Sequence, residues 1–313
     1  WMGLKPFLLF CLALMVATYG LLGLAGDRVG LWFPLRFLFG FAGAGMFVGS
    51  EIWINSLAPE SSRGRIIGIY STCLALGFAA GPFLIDLFGT QGMTPFLVGM
   101  LIFSAALFPI LIASAPPADP EEAAKGFFRL LPKAPATFLS AAVFAGAEAA
   151  ILTFLPIYAL EVGWGEETGA RAVTVYGLGL VAFQYLIGRQ ADRIGYGRSL
   201  VACALLSLTG AVLFAMIGEA LTILYVILFA WGGFIAGLYT VGLTLLGDRF
   251  PKEQLSAANT GFVFMYGLGA IIGPVGAGLA REAGGQLGLE LFLVAALALY
   301  ALLTLFRRSK DLP

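Results

Sequence analysis

The chain has 313 residues, of which 60% are hydrophobic and only 12% charged, and its 18 basic residues balance its 18 acidic ones. A soluble domain is about half apolar and a quarter charged, so this composition excludes a single soluble core, and the zero net charge offers no basic surface to nucleic acid. Histidine is absent, which excludes histidine-based catalytic dyads and metal sites. We therefore predict no enzyme, no metal and no cofactor.

Ten apolar stretches of membrane-spanning length follow one another along the chain, since about 20 apolar residues cross the hydrocarbon core. A strand interpretation fails because the stretches are long, continuous and not alternating. The predicted fold class is all-α, a polytopic membrane protein with spans at 6–25, 31–55, 66–86, 94–113, 136–160, 171–188, 199–218, 221–247, 256–280 and 289–306.

The longest loop, residues 114–135, separates four spans from six. We predict an N-terminal half over 1–113, a linker over 114–135 with a weak helical pattern in 121–131, and a C-terminal half over 136–313. Basic residues alternate between the two sides of the bundle: 14 lie in loops on the linker's side and 3 on the other, while Arg36 falls within a span. Because cytoplasmic loops carry an excess of Lys and Arg, both visible chain ends are predicted to be cytoplasmic.

A short motif occurs twice. Gly77, Gly81 and Pro82 form a Gly-x-x-x-Gly-Pro pattern that returns as Gly269, Gly273 and Pro274, at an offset of 269 − 77 = 192 residues. Such self-similarity at a fixed offset predicts two related halves.

The loop Gly188–Arg198 has the spacing Gly-x-x-x-Asp-Arg-x-Gly-x-x-Arg, with Asp192, Arg193, Gly195 and Arg198 at its fixed positions. It resembles the cytoplasmic signature loop of the major facilitator superfamily, and the repeated glycine motif resembles that superfamily's motif on helices five and eleven. The resemblance implies two pseudo-symmetric halves that move a small molecule by alternating access. It also implies that Asp192 packs against the helix beginning near Arg65, where the macrodipole favours a carboxylate by ~0.3–1 kcal/mol, with Arg193 and Arg198 completing a charge cluster.

The 192-residue offset carries Gly195 onto Gly3, so Trp1–Pro6 resembles the tail of a first-half signature loop. By this resemblance we expect the first visible span to be the family's helix three, with two helices preceding it. A genuine ten-helix protein is the alternative. The general pattern of the sequence is bacterial, so we expect the protein in the lipid bilayer of the inner membrane. We also expect it to be a monomer.

Arg36 lies five residues into the second predicted span. It resembles the family's helix-four motif Arg-x-x-x-Gly, although Phe39 replaces the usual Gln. A charge at membrane depth is expected to face a wet cavity or a partner, or to reach the outer interface by extending its side chain. Gly40 and Gly43 share its helical face and favour close packing there.

Glu51 lies on the same predicted span, ~22 Å from Arg36 toward the cytoplasm. We interpret it either as a carboxylate that bridges to loop groups at the inner gate or as an interfacial carboxylate held by Arg63 or Arg65.

Glu148 lies about twelve residues into a long apolar span, with no basic residue near it in sequence. By resemblance this span is helix seven, which lines the central cavity. Desolvation there would favour the protonated carboxyl, which suits a site that binds and releases protons. A structural hydrogen bond to a neighbouring helix is the alternative.

Trp231 and Tyr239 project from an apolar helix that resembles the family's helix ten, where they would form an aromatic wall for a substrate. Tyr266 is a weaker candidate of the same kind. The scarcity of polar residues in the spans favours a proton-coupled exporter of small amphipathic molecules over a nutrient or metabolite symporter. A membrane-embedded acyltransferase would need a histidine or an acidic cluster at one interface, which the sequence lacks.

Overall fold

The computed structural model describes residues 3–88, 92–113, 126–216 and 221–307; Trp1 and Met2 and most of the predicted linker, 114–125, lie outside the described residues. The described chain is all-helical, which confirms the predicted fold class. Its helices are α1 Leu4–Ala25, α2 Val29–Leu57, α3 Arg63–Phe88, α4 Thr94–Ala105, α5 Leu107–Ile112, α6 Pro135–Glu161, α7 Glu166–Ile194, α8 Tyr196–Met216, α9 Leu221–Arg249, α10 Lys252–Gly284 and α11 Gly288–Arg307.

Each predicted span corresponds to helix in the structure. Nine helical stretches within the described residues are long and apolar enough to cross a membrane, and α3, which covers the predicted span 66–86, is not among these nine. The predicted span 94–113 is interrupted at Ala106, between α4 and α5. Pro109 explains the interruption, because it has no N–H to donate to the carbonyl of Ala105 four residues earlier.

Helix boundaries repeat at the offset read from the glycine motif. The last residue of α2, 57, becomes 249 when 192 is added, and this is the last residue of α9. The first residue of α1, 4, likewise becomes 196, the first residue of α8. Helices α1 and α2 therefore correspond to α8 and α9, as the repeat predicts.

The repeated glycine motif is packed differently in its two copies. In the second copy α10 lies backbone to backbone on α6, and a methyl group at Gly273 would come within 2.5 Å of the Gly146 Cα. In the first copy nothing lies within 4 Å of a methyl group at Gly77. Gly81 and Pro82 belong to α3, but their surroundings lie outside the described part of the structure.

Contacts between the halves fall into two regions. Helix α3 lies along α7, and α2 approaches both α9 and α10. These two contact regions meet at the end of the bundle where α3 begins and α7 ends, which we call the basic end because Arg63, Arg65 and Arg193 lie there.

Candidate functional site

Asp192 joins the two halves at the basic end. Its Oδ1 accepts a hydrogen bond from the backbone N–H of Gly64 at 2.7 Å, and its Oδ2 accepts one from the N–H of Arg65 at 2.8 Å. These N–H groups belong to the first turn of α3, where no carbonyl of the same helix can reach them. The carboxylate of α7 thus caps the N-terminus of α3, the position that the resemblance implied.

The backbone around Asp192 explains why the carboxylate can reach α3. Gly195 adopts φ +91°, a conformation that side chains disfavour, and it ends α7 one residue before α8 begins. Tyr196 then directs its hydroxyl back to the carbonyl oxygen of Glu60 at 3.0 Å and to Asp192 Oδ1 at 3.2 Å. A methyl group at Gly64 would come within 2.5 Å of the Gly188 carbonyl oxygen, so the crossing of α3 and α7 requires glycine.

The charge cluster at the basic end is not made by the residues that we predicted. Arg193 and Arg198 are exposed, and neither forms an ion pair with any described residue. Arg63 instead pairs with Asp248 of α9 at 3.6 Å. Arg193 lies in the last turn of α7 and Arg198 in the first turn of α8, whereas Arg63 begins the helix that Asp192 caps.

Glu51 lies between the halves, on the face of α2 that meets α9. Its carboxylate is completely buried, and Oε1 accepts a hydrogen bond from the Tyr239 hydroxyl. One turn along, Asn55 Nδ2 donates to the carbonyl oxygen of Leu243 at 3.3 Å. This corrects the interfacial interpretation, in which Arg63 or Arg65 holds Glu51, since Arg63 reaches Asp248 instead.

Tyr70 is a residue that the sequence analysis missed. It lies on α3, and its hydroxyl is 3.1 Å from Oγ of Ser50, the residue that precedes Glu51 on α2. Its position seven residues after Arg63 in a mostly apolar helix gives no signal in the sequence, because the contact exists only once α2 and α3 are packed.

A cleft lies directly beside this contact. It has a cavity volume of about 570 Å³ and is lined by Ala44, Phe47 and Val48 of α2, by Tyr239 of α9, and by seven α10 residues between Thr260 and Ile271. The lining is almost entirely apolar, with polar atoms contributed by the hydroxyls of Tyr239, Thr260 and Tyr266. A space of this size and character fits a small organic molecule.

Glu148 approaches this cleft from α6. Its Oε2 accepts a hydrogen bond from the hydroxyl of Tyr266, a lining residue, at 3.5 Å. The Tyr239 and Tyr266 rings lie 6.0 Å apart, so the surroundings of Glu51 and Glu148 are joined through two tyrosines.

Trp231 does not line the cleft. It is 1% exposed and packs against Gly210 and Phe214 of α8 and against Tyr176 of α7, inside the C-terminal half. This placement corrects the expectation of an aromatic wall made by Trp231 and Tyr239. The two residues are eight apart on α9; Gly232 and Gly233 between them lie against α7, and Gly210 of α8 makes room for the Trp231 ring.

Arg36 is exposed and has no hydrogen bond or ion pair among the described residues. Nothing lies within 4 Å of a methyl group at Gly40 or Gly43. The close packing expected on this face of α2 is therefore not found, and the face is open in the described structure.

Comparison with protein families gives one match that extends along the chain. The model of the Major Facilitator Superfamily matches residues 2–170 and 137–313. Among curated proteins, the uncharacterized MFS-type transporter YfkF of Bacillus subtilis (strain 168) is 30% identical over 292 residues, which are 88% of this chain and 72% of that protein. An uncharacterized MFS-type transporter of Enterobacter sp. (strain 638) is 25% identical over 312 residues, 97% of this chain and 79% of the relative.

Solved structures share the fold. The Escherichia coli fucose:proton symporter FucP superposes with a TM-score of 0.82 at 17% identity, covering 97% of this chain and 84% of that one. The human organic anion transporter MFSD10 gives a TM-score of 0.83 at 16% identity, covering 96% and 77%. At these identities the likeness extends to the arrangement of the helices.

Proposed function

Because this chain belongs to the major facilitator superfamily, and is therefore a multi-pass secondary transporter of small molecules rather than an enzyme, we propose that it exports amphipathic molecules in exchange for protons. The observation that carries this proposal is Glu148, a carboxylate whose hydrogen-bond partner, Tyr266, lines an apolar cleft between the halves. The N-terminal half 1–113, the linker 114–135 and the C-terminal half 136–313 are the units that move in this cycle, and the protein acts as a monomer.

The basic end faces the cytoplasm in this proposal, with both visible chain ends on that side of the inner membrane. The support is the excess of Lys and Arg in the loops of that side. The Asp192 cap then holds the bundle closed toward the cytoplasm, and the glycine motifs that include Gly81, Gly273 and Pro274 support the helices that rock.

The lining of the cleft supports an amphipathic substrate. Phe47, Phe264 and the two tyrosines offer aromatic surface, and the hydroxyls provide few hydrogen-bonding groups. A sugar would leave most of its hydroxyls unpaired in such a site, and an unpaired buried polar group costs about 1–3 kcal/mol. Tyr239 and Tyr266 form the aromatic wall, and Arg36, on the open face of α2, attracts anionic groups at the outer end.

Glu148 is the coupling site because desolvation lets a carboxyl hold a proton that it gives up when water or substrate reaches it. No described basic side chain forms an ion pair with it, so the protonated form leaves no cation unpaired. Exchange of substrate for protons follows if the two occupy adjoining parts of one cleft and exclude each other.

The test uses proteoliposomes with an acidic lumen and a panel of amphipathic fluorescent dyes and radiolabelled sugars. A proton-exchanging exporter accumulates dye in the lumen as protons leave, whereas a proton symporter accumulates solute only when the lumen is alkaline. We expect Glu148→Gln to abolish gradient-driven accumulation while dye-for-dye exchange continues, because Gln keeps the shape and cannot titrate.

The matched control is Glu167→Gln, which also neutralises one carboxylate of the C-terminal half. Glu167 is 80% exposed and pairs with Arg171 one turn along α7, and such surface pairs contribute little. Gradient-driven accumulation by Glu148→Gln equal to that of Glu167→Gln would refute the coupling role.

A further inference from the structure

Helices α2 and α9 meet in register over two turns at the basic side of the cleft. Glu51 faces Tyr239, and Asn55, four residues later, faces Leu243, also four residues later. The next residue in the same series, Gly247, lies against Asn55 Oδ1. We call this row of contacts the α2–α9 seam; it joins one half of the protein to the other.

The Glu51 carboxylate in the seam is surrounded by hydroxyls rather than by cations. Tyr239 of α9, Tyr70 of α3 and Tyr266 of α10 are the titratable groups that face it from the packed helices. Glu51 is buried and hydrogen-bonded to Tyr239, and no described basic side chain forms an ion pair with it. A buried carboxylate without a cation is costly.

Two acceptor atoms in the seam lack partners. Glu51 Oε2 and Asn55 Oδ1 are both buried, and neither has a hydrogen-bond partner. Residues four apart on a helix are neighbours on its surface. A proton on Oε2 would supply the missing donor, because the Glu51 hydroxyl could then bond to Asn55 Oδ1.

We propose that Glu51 is a proton-binding site and that its proton holds the α2–α9 seam closed. With the proton on, Tyr239 donates to Oε1, Oε2–H donates to Asn55 Oδ1, and Asn55 Nδ2 donates to Leu243 O. These bonds form one continuous path from α9 to α2 and back. When the seam opens, water reaches the carboxyl, the proton leaves Oε2 for that water, and the carboxylate stays hydrated until the seam closes again.

This site differs from Glu148 in the motion that would break its hydrogen bond. Glu148 and its partner Tyr266 lie in the same half, whereas Glu51 and Tyr239 lie in opposite halves. The proposal requires only that the halves move apart at the basic end, and it does not depend on which solute is moved or on proton coupling through Glu148.

The test measures the opening of the basic end directly. Ser61→Cys and Gln254→Cys place spin labels on exposed positions of the two halves, after Cys11, Cys73 and Cys203 are replaced by alanine. Pulsed electron paramagnetic resonance then gives the ratio of long to short distances as pH is raised. In the parent we expect this ratio to rise with pH, by at most about tenfold per pH unit, the limit for one linked proton.

Glu51→Gln separates this proposal from a merely structural role. The Gln amide donates to Asn55 Oδ1 and accepts from Tyr239 as the protonated acid does, so we expect short distances at every pH. Asn55→Ala removes the acceptor for the proton, and we expect it to favour long distances and to flatten the pH response. This second variant serves if Glu51→Gln does not fold.

Two controls retain the pH response if the proposal holds. Glu60→Gln neutralises an exposed carboxylate beside the same seam, and Glu148→Gln neutralises the proposed coupling site. A pH response that persists in Glu51→Gln, or that disappears in Glu148→Gln instead, overturns the assignment to Glu51. Loss of gradient-driven transport in Glu148→Gln with an intact distance response would support the two proposals separately.

Discussion

A methyl group added at Gly64 tests whether the contact of α3 with α7 keeps the basic end closed. In Gly64→Ala the new Cβ would lie 2.5 Å from the Gly188 carbonyl oxygen and 2.6 Å from Asp192 Oδ1. Ordinary contact begins at 3.4 Å, so each oxygen must retreat by about 0.8–0.9 Å. The Asp192 carboxylate is the softer of the two, because it is held by hydrogen bonds rather than by the backbone of α7.

The retreat has a calculable cost. The hydrogen bond from Gly64 N–H to Oδ1 is 2.7 Å long, and a further 0.8 Å takes it to about 3.5 Å, where little of its strength remains. A hydrogen bond to a charged group contributes about 1.5–3 kcal/mol net. We therefore expect closure to weaken by about 2 kcal/mol, which is about a 30-fold change in the ratio of open to closed molecules.

The assay is the distance between spin labels on Ser61→Cys and Gln254→Cys, with Gly177→Ala as the matched control. Gly177 lies on α7, and nothing is within 4 Å of a methyl group there. Both substitutions add one methyl group to a helical glycine, and only the one at Gly64 meets another residue, so the comparison reports the steric effect. Equal distance distributions in the two variants would show that the glycine crossing does not control closure.

The second copy of the glycine motif provides a stability prediction: Gly273→Ala should lower the thermal unfolding midpoint, because its Cβ would come within 2.5 Å of the Gly146 Cα and overpacking costs about 1–3 kcal/mol. Gly267→Ala, on the same helix with nothing within 4 Å, serves as its comparison, and an equal or larger loss there would contradict the packing argument. Arg281→Gln should lower the thermal unfolding midpoint more than Arg171→Gln does. Arg281 is 13% exposed and bonds its glutamate at 2.5 Å, whereas Arg171 is 65% exposed. Equal losses would show that burial adds nothing to the ion pair of Arg281.

Much of the fold could be predicted because a bilayer imposes a length and a polarity on each helix. The span predicted at 221–247 became α9, Leu221–Arg249, since a run of apolar residues has few alternatives in a membrane. The repeat followed from glycines whose spacing can be read directly from the sequence. Such features depend on local composition and not on which helix packs against which.

The face that a helix presents to its neighbours could not be predicted in the same way. α9 is apolar around its whole circumference, so its sequence does not distinguish the side of Trp231, which is buried in one half, from the side of Tyr239, which meets the other. Glu51 and Tyr239 are 188 residues apart, and their contact arises only when the halves meet. Because the sequence shows no nearby partner for Glu51, the arginines of the following loop were the nearest cations that could be assigned to it.

The backbone contact of α6 with α10 has a mechanical consequence. Helices that touch through Gly146 and Gly273 cannot slide without a clash, so they travel as one stiff body, and the Glu148–Tyr266 bond travels with them unbroken. The Glu51–Tyr239 bond joins the two halves, so under the proposed cycle it would be broken and remade each time the basic end opens and closes. Glu148 would thus keep the same hydrogen-bond partner throughout transport, whereas Glu51 would lose and regain its partner once for each molecule moved.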